Sequence, residues 1–295
     1  MTAVHEPTST LGWMLYWGLQ PALLVICIGG WLIDPYNGLS FLIALATVQV
    51  ILGVAEHYLP ARPAWVTSAR EKIQCIAIFL VVGAGAVVVG GLYAEFLAAP
   101  LDAWRERNGL NIWPHELPLI VQLFLVFFIS EFFWYWIHRL EHRFYFVWRL
   151  SGHGAHHSFK RLGALNAGLN HPLELFFLAI PPAIVEFVFG SGIASAGAAI
   201  LTVTQASIAH TNLRMNTKVI GWLFTTNRYH IRHHSAVLEE SNTNYGCAAI
   251  LWDRVFGTFV DSDIVDAGTG PTEPTLWQKF VMPVKEPTDT AIAPG

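Results

Sequence analysis

The stretch from Leu11 to Ile33 runs for 23 residues without a single charge. An apolar run of that length is enough to cross the hydrocarbon core of a bilayer, which takes about 20 residues of helix. In that solvent the backbone must satisfy its own hydrogen bonds, so such a run crosses as a helix. Three more apolar stretches follow, from Leu39 to about Val54, from Ile73 to Ala98 and from Leu117 to Ile137. A fifth, Leu173 to Ala209, is interrupted by Pro181-Pro182 and by Gly190-Ser-Gly192. It predicts a tight pair of spans, or a hairpin entering from one face, broken at those points. Charged residues make up only 13% of the chain, about half the soluble norm of roughly 25%. The expected fold class is therefore all-α: an integral membrane helical bundle of about four to six spans.

Between the runs the sequence carries loop signals. Asp34-Pro-Tyr-Asn-Gly38 reads as a turn, residues 60–72 as a polar loop and 99–116 as a mixed-charge loop. Pro21 predicts a kink in the first span. The aromatic run Phe132–Trp136 reads as an interfacial belt. From about Ala267 a Pro/Thr-rich composition predicts a loosely ordered tail. The natural division is 1–116 as an N-terminal transmembrane region, 117–260 as a catalytic region and 261–295 as a C-terminal tail. A net charge of −4 gives no sign of nucleic-acid binding. Cys27, Cys75 and Cys247 lie far apart, which argues against disulfides and cysteine–zinc sites. No Lys or Arg occurs in the first ten residues, which argues against a cleaved signal peptide.

Ten of the 13 histidines fall between residues 138 and 234. They form three clusters: His138 and His142; His153, His156 and His157; His230, His233 and His234. His171 and His210 lie between them. On a helix, positions i, i+3 and i+4 share one face, so each cluster presents two or three imidazoles in one direction. A lone histidine on an apolar face is usually a hydrogen-bonded core residue. A repeated H-x-x-H-H spacing has no such structural need behind it. Imidazole suits Fe, Zn, Cu and Ni. Eight clustered imidazoles exceed one tetrahedral zinc and suit two metals that keep open positions. His5, His57 and His115 stand outside the pattern.

The cationic residues orient this layout independently. With residues 60–72 in the cytoplasm, alternation brings all the clusters to that side, together with 15 of the 17 Lys and Arg. Only Arg105 and Arg107 remain opposite. The positive-inside rule thus predicts a histidine-rich helical cap on the cytosolic face.

The chain has no H-E-x-x-H to supply the general base of a zinc protease, and no G-x-S-x-G of a serine hydrolase. An all-histidine, carboxylate-poor site at a membrane face fits a dinuclear iron centre that activates O2 better. Lipid C–H bonds need a strong metal-based oxidant, and the bilayer delivers the substrate from the side. Histidine ligands commonly donate their second N–H to a carboxylate or carbonyl, and Glu141, Glu174 and Asp253 are the candidates.

The pattern H-x-x-x-H, H-x-x-H-H, H-x-x-H-H resembles the fatty acid hydroxylase/sterol desaturase superfamily of membrane di-iron enzymes. Asn170-His-Pro-Leu-Glu174, His210-Thr-Asn212 and Asn244-Tyr-Gly with Trp252-Asp-Arg-Val-Phe-Gly-Thr258 carry the same likeness, over about residues 117–260. The resemblance implies metal ligation by His138, His142, His153, His156, His157, His230, His233 and His234, with His210 as a further ligand. Some relatives have another histidine a turn after that position, where this chain has Leu213 and Arg214. The resemblance leaves Asn212 or a water to fill the gap, and His171 as either a ligand or a residue behind the ligands. It implies O2-dependent hydroxylation of a lipid at two iron ions, for which zinc can substitute on isolation. No flavin, haem or nucleotide motif is visible, so the electrons would come from a separate reductase, ferredoxin or cytochrome. Desaturation by the same centre is the alternative. From another class, the alternatives are a zinc membrane hydrolase or a metal-binding protein without redox chemistry.

Overall fold

A computed structural model describes residues 7, 9–110, 112–264 and 266–285. The chain is helical, and among the described residues there is no strand, only one antiparallel bridge between Ser235 and Ala267. Helix α1 spans Thr10–Leu32, and the Ser9 hydroxyl caps it by accepting from the Gly12 amide at 3.0 Å. Helix α2 is Gly38–Tyr58, capped by Asn37. Helix α3 is Ala69–Tyr93 and starts in a capping box between Ser68 and Glu71. It passes through a π turn at Ala94–Ala98 into α4, Ala99–Arg107. Helix α5, Leu119–Arg143, runs straight from an apolar N-terminal half into the first histidine pair.

The histidine-bearing cap is built from short helices: α6 Tyr145–Ser151, α7 His153–His157, α10 Asn227–His233, α11 Leu238–Ser241, α12 Leu251–Phe256 and α13 Leu276–Val281. Between α7 and α10 lies the hairpin of α8, Glu174–Phe189, and α9, Ile193–His210.

Among the described residues, five helical stretches are long and apolar enough to cross a membrane: Thr10–Leu32, Gly38–Tyr58, Ala69–Arg107, Leu119–Arg143 and Ile193–His210. Their outward faces carry large apolar side chains in the open, such as Val25, Val81 and Val87, each more than 70% exposed. In water that area would cost roughly 25 cal/mol per Å²; facing lipid it costs nothing. The chain is a multi-pass membrane protein. Its core lies where α1, α2, α5 and α9 meet, around Leu23, Trp31, Val48, Leu52, Leu123, Phe127, Ile200 and Leu201.

The structure corrects four local expectations. Pro181 and Pro182 do not break α8; the turn falls only at Gly190–Gly192, where both glycines take positive φ, 67° and 59°. Residues 99–107 of the expected loop are helix. Their Arg105 lies buried against the Glu186 and Phe187 carbonyls and Asp102, tying α4 to the end of α8. The aromatic run is not a simple belt: Trp134 and Tyr135 are buried, and only Trp136 is exposed.

The fourth correction concerns the tail. Residues 266–285 pack against the cap, and α13 begins in a Thr275–Gln278 capping box. Gly268 donates its amide to the His234 carbonyl, and Thr269 donates to that of His157. The tail therefore braces two histidine segments that its polar composition gave no reason to connect with it. Residues 286–295 lie outside the described residues.

Candidate metal centre

Nine histidines converge beneath the cap, none more than 6% exposed. They fall into two sets. His138, His142, His153, His157 and His233 form one, and His156, His210, His230 and His234 the other, with the ligand atoms of each set within 4.8 Å of one another. The sets interleave along the chain. On α7, His153 and His157 point into the first set and His156 into the second. At the third cluster His233 enters the first, and His230 and His234 the second. Helix periodicity produces this: i and i+4 lie on one side of a turn, and the residue between them lies off it.

The donor chemistry identifies what fits between these rings. His138 Nδ1 faces the Tyr245 carbonyl at 2.5 Å, His233 Nδ1 the Thr243 carbonyl at 2.9 Å, and His153 Nδ1 a Glu174 carboxylate oxygen at 2.7 Å. Each of these acceptors fixes the proton on Nδ1, which leaves Nε2 as a bare lone pair. Yet His138 Nε2 stands 2.9 Å from His153 Nε2 and 3.1 Å from His233 Nε2. Lone pairs facing one another at that distance, with no proton between them, repel unless a cation lies among them. In the second set His210 Nδ1 is fixed by the Ala206 carbonyl at 2.8 Å. Its Nε2 faces those of His156 and His230 at 3.2 and 3.1 Å. Burial, and after it the neighbouring imidazoles, push His153, His156, His157, His230, His233 and His234 well below the ordinary histidine range. They stay neutral, in the ligating form. The residues present fit a pair of imidazole-bound metals.

Local structure places these rings. Gly152 takes φ 75° between α6 and α7, which turns His153 inward. A side chain there would also strike the His171 ring, 2.5 Å from an added Cβ. His171 itself stays out of both sets: its Nε2 meets the Phe280 carbonyl at 2.9 Å, and its Nδ1 accepts from the Leu173 amide. It props the turn before α7. Trp148 closes the first set from outside, its ring 5.2–5.3 Å from those of His142, His153 and His157.

The remaining candidates behave differently. Asn212 reaches neither set; its amide oxygen accepts from the Arg62 N–H and its amide nitrogen donates to the Arg62 carbonyl. Glu141 is fully buried 3.9 Å from His153 Nδ1, farther than Glu174. Asp253 touches no histidine. It accepts from the Tyr245 and Gly246 amides and the Thr258 hydroxyl, and so holds the turn whose Tyr245 carbonyl orients His138. Burial pushes the Asp253 carboxyl up to about 6 despite those three donors.

Two further carboxylates matter. Glu56 at the end of α2 accepts from the Ala164 and Asn212 amides. Glu131, in the middle of α5, accepts from the Ala248 and Ala249 amides. Each staples a cap segment to a spanning helix. Their signal in the sequence is a lone carboxylate inside an apolar run, which is costly in lipid unless it has partners.

Residues 123–258 match the family model for fatty acid hydroxylase. The ornithine lipid hydroxylase OlsE of Rhizobium tropici is 31% identical over 220 residues, covering 73% of this chain and 65% of that protein. The alkylglycerol monooxygenase of Xenopus tropicalis is 28% identical over 147 residues, 46% of this chain and 30% of its own. The human lathosterol oxidase is 28% identical over 171 residues, 57% and 54%. The chain thus spans less than two thirds of the length of each of these relatives. No solved structure matches it. The family match lies over both histidine sets, so the chain carries a fatty acid hydroxylase domain.

Proposed function

We propose that this chain is a membrane-bound di-iron oxygenase that hydroxylates a C–H bond of a lipid, with its histidine face in the cytoplasm. The nine histidines are the ligands, five to one iron and four to the other, within the catalytic region 117–260. The observation that carries this reading is the convergence of buried Nε2 lone pairs in two adjacent sets. The names of the relatives support a lipid substrate, whether an ornithine lipid, an alkylglycerol or a sterol. Bound iron supplies the oxidising power that an unactivated C–H requires, with O2 as the oxidant.

The protein's own part is positioning. Glu174 Oε1 holds the proton of His153 Nδ1, and the Tyr245 and Thr243 carbonyls hold those of His138 and His233, which keeps every Nε2 of these three aimed inward. Trp148 and the cap exclude bulk water from the first set. The overall change takes RH, O2, two electrons and two protons to ROH and water. A separate reductase, ferredoxin or cytochrome supplies the electrons.

The test uses the full chain purified without chelators. It should carry about two metals per chain, consume O2 when an electron donor is added, and yield a lipid that has gained one oxygen. A stoichiometry near one metal overturns the dinuclear site. A lipid that has lost two hydrogens instead overturns hydroxylation in favour of desaturation, and fully loaded iron protein that consumes no O2 overturns the redox reading.

A further inference from the structure

Behind the second histidine set lies a pocket of about 90 Å³ that the metal chemistry does not use. Its walls include chain neighbours of two histidines of that set. Thr211 and Asn212 follow His210, and Asn227 and Arg228 precede His230 on α10. Three guanidinium groups line it, from Arg62, Arg214 and Arg228, against a single carboxylate, Asp263. Arg228 is engaged by Asp261 at 2.6 Å, and Arg62 lies 4.3 Å over the Trp65 ring. Arg214 has no ion pair or hydrogen bond among the described residues, and its Nε is buried without a partner. A buried guanidinium N–H left unmatched is costly. It is also the group best suited to clasp a phosphate or carboxylate.

An apolar groove of about 590 Å³ lies along two of the segments that wall the pocket, α1 and the loop after α9. On α1, Tyr16 lines the pocket, while Pro21, Leu24, Ile28 and Leu32 line the groove, one face of the helix at i, i+3, i+7 and i+11. In the loop after α9, Leu213–Met215 and Thr217 serve the pocket, and Val219, Ile220 and Trp222–Phe224 the groove. Asn227 pins this loop by donating to the Thr211 and Leu213 carbonyls. Eleven residues of helix from Pro21 to Leu32 measure roughly 16 Å, about the depth of one leaflet of a hydrocarbon core roughly 30 Å thick.

We propose that pocket and groove together bind one lipid with an anionic head group, its phosphate or carboxylate oxygens on Arg214 and its hydrocarbon tail along α1. Basic pockets between spanning helices are the usual seat of anionic head groups. Because chain neighbours of His210 and His230 wall the pocket, this lipid is the substrate, a step that rests on the function proposed above. The binding itself does not.

The experiment counts lipid retained by the full, metal-loaded protein in neutral detergent, using native mass spectrometry. The probes are phosphatidylglycerol and diacylglycerol with identical chains, and inorganic phosphate as a competitor. Wild type should hold one phosphatidylglycerol about tenfold better than diacylglycerol. Arg214→Gln should erase that preference while keeping its metal content, which shows that it has folded. Arg214→Lys, which keeps the charge without the fork, should fall between them. Ile28→Trp, which fills the groove, should weaken both lipids, and Arg107→Gln on the other side should change neither. Inorganic phosphate should compete poorly. The proposal is overturned if Arg214→Gln retains phosphatidylglycerol like wild type, if wild type does not distinguish the two lipids, or if inorganic phosphate displaces the lipid readily. A protein that binds the lipid through Arg214 yet never oxidises it would sink the proposed function and leave this site standing.

Discussion

His153 and His156 sit three residues apart on the same short helix and are held very differently. His153 donates from Nδ1 to Glu174, and in its set His138 and His233 have carbonyl partners as well. In the second set only His210 has one; the Nδ1 atoms of His156, His230 and His234 are buried with no partner. Such partners fix ring orientation and raise ligand basicity, and their loss typically costs 10–100-fold in metal affinity. The two sites should therefore differ in affinity. Graded chelation of the loaded protein should remove the metals in two phases. His234→Ala should leave about one tightly held metal, and Glu174→Gln should weaken the tighter phase by about 10–100-fold. Removal in a single phase would contradict the asymmetry. His171→Ala should keep both metals, because both its ring nitrogens are already engaged outside the sets. The sequence made eight of these histidines legible through their spacing, and the family resemblance added His210. The sequence hid the five–four partition, since each H-x-x-H-H cluster divides between the sites. It also hid Tyr245 and Thr243, whose contribution is a backbone carbonyl and leaves no trace in residue type.

At the level of elements, the membrane helices could be read from length and apolarity, and their ends could not. A proline pair signals a break in water, where a freed carbonyl has nothing to gain from a continuing helix. Within a packed bundle, neighbouring helices tolerate it, and α8 continues to the glycine pair. The close approach of α9 to α1 and α5 had a faint signal in its small residues, Ala194, Gly197 and Ala198, which suit tight packing in lipid. A Cβ at Gly197 would lie 2.5 Å from the Trp31 ring and 2.7 Å from Leu123 Cδ1. Gly197→Ala should force these helices apart, costing about 1–3 kcal/mol. Because α9 carries His210, it should also lower the occupancy of the second metal. Gly83→Ala on α3, with open space around it, should be neutral or stabilising by about 0.5–1 kcal/mol. Thermal midpoints and metal content of the two variants check both. Equal behaviour would show that the contact is not tight. The small-to-large pair also separates packing from helix propensity, which favours alanine at both positions.

Across the whole molecule, charge and chemistry share one side. Arg139 and Arg143 end α5 beside the first histidine pair, and Lys160, Arg161, Arg228 and Arg232 stud the cap. The opposite ends of the spans offer only Arg105 and Arg107, and Arg105 is spent on the carbonyls at the end of α8. An orientation with the cap outside would translocate 15 of the 17 cationic residues, against the bias that sets topology in short loops. The cap should therefore face the cytoplasm, where reduced electron carriers are also found. Cysteines introduced at two exposed positions report on this directly. Asn108 follows α4 on the far side, and Glu239 lies on α11 in the cap. In intact cells a membrane-impermeant maleimide should label Asn108→Cys above the background of the parent chain and leave Glu239→Cys unlabelled until the membrane is opened. The reverse pattern would turn the molecule over. The histidine sets would survive that result, because their geometry does not depend on which compartment they face, but the supply of electrons from cytoplasmic carriers would not.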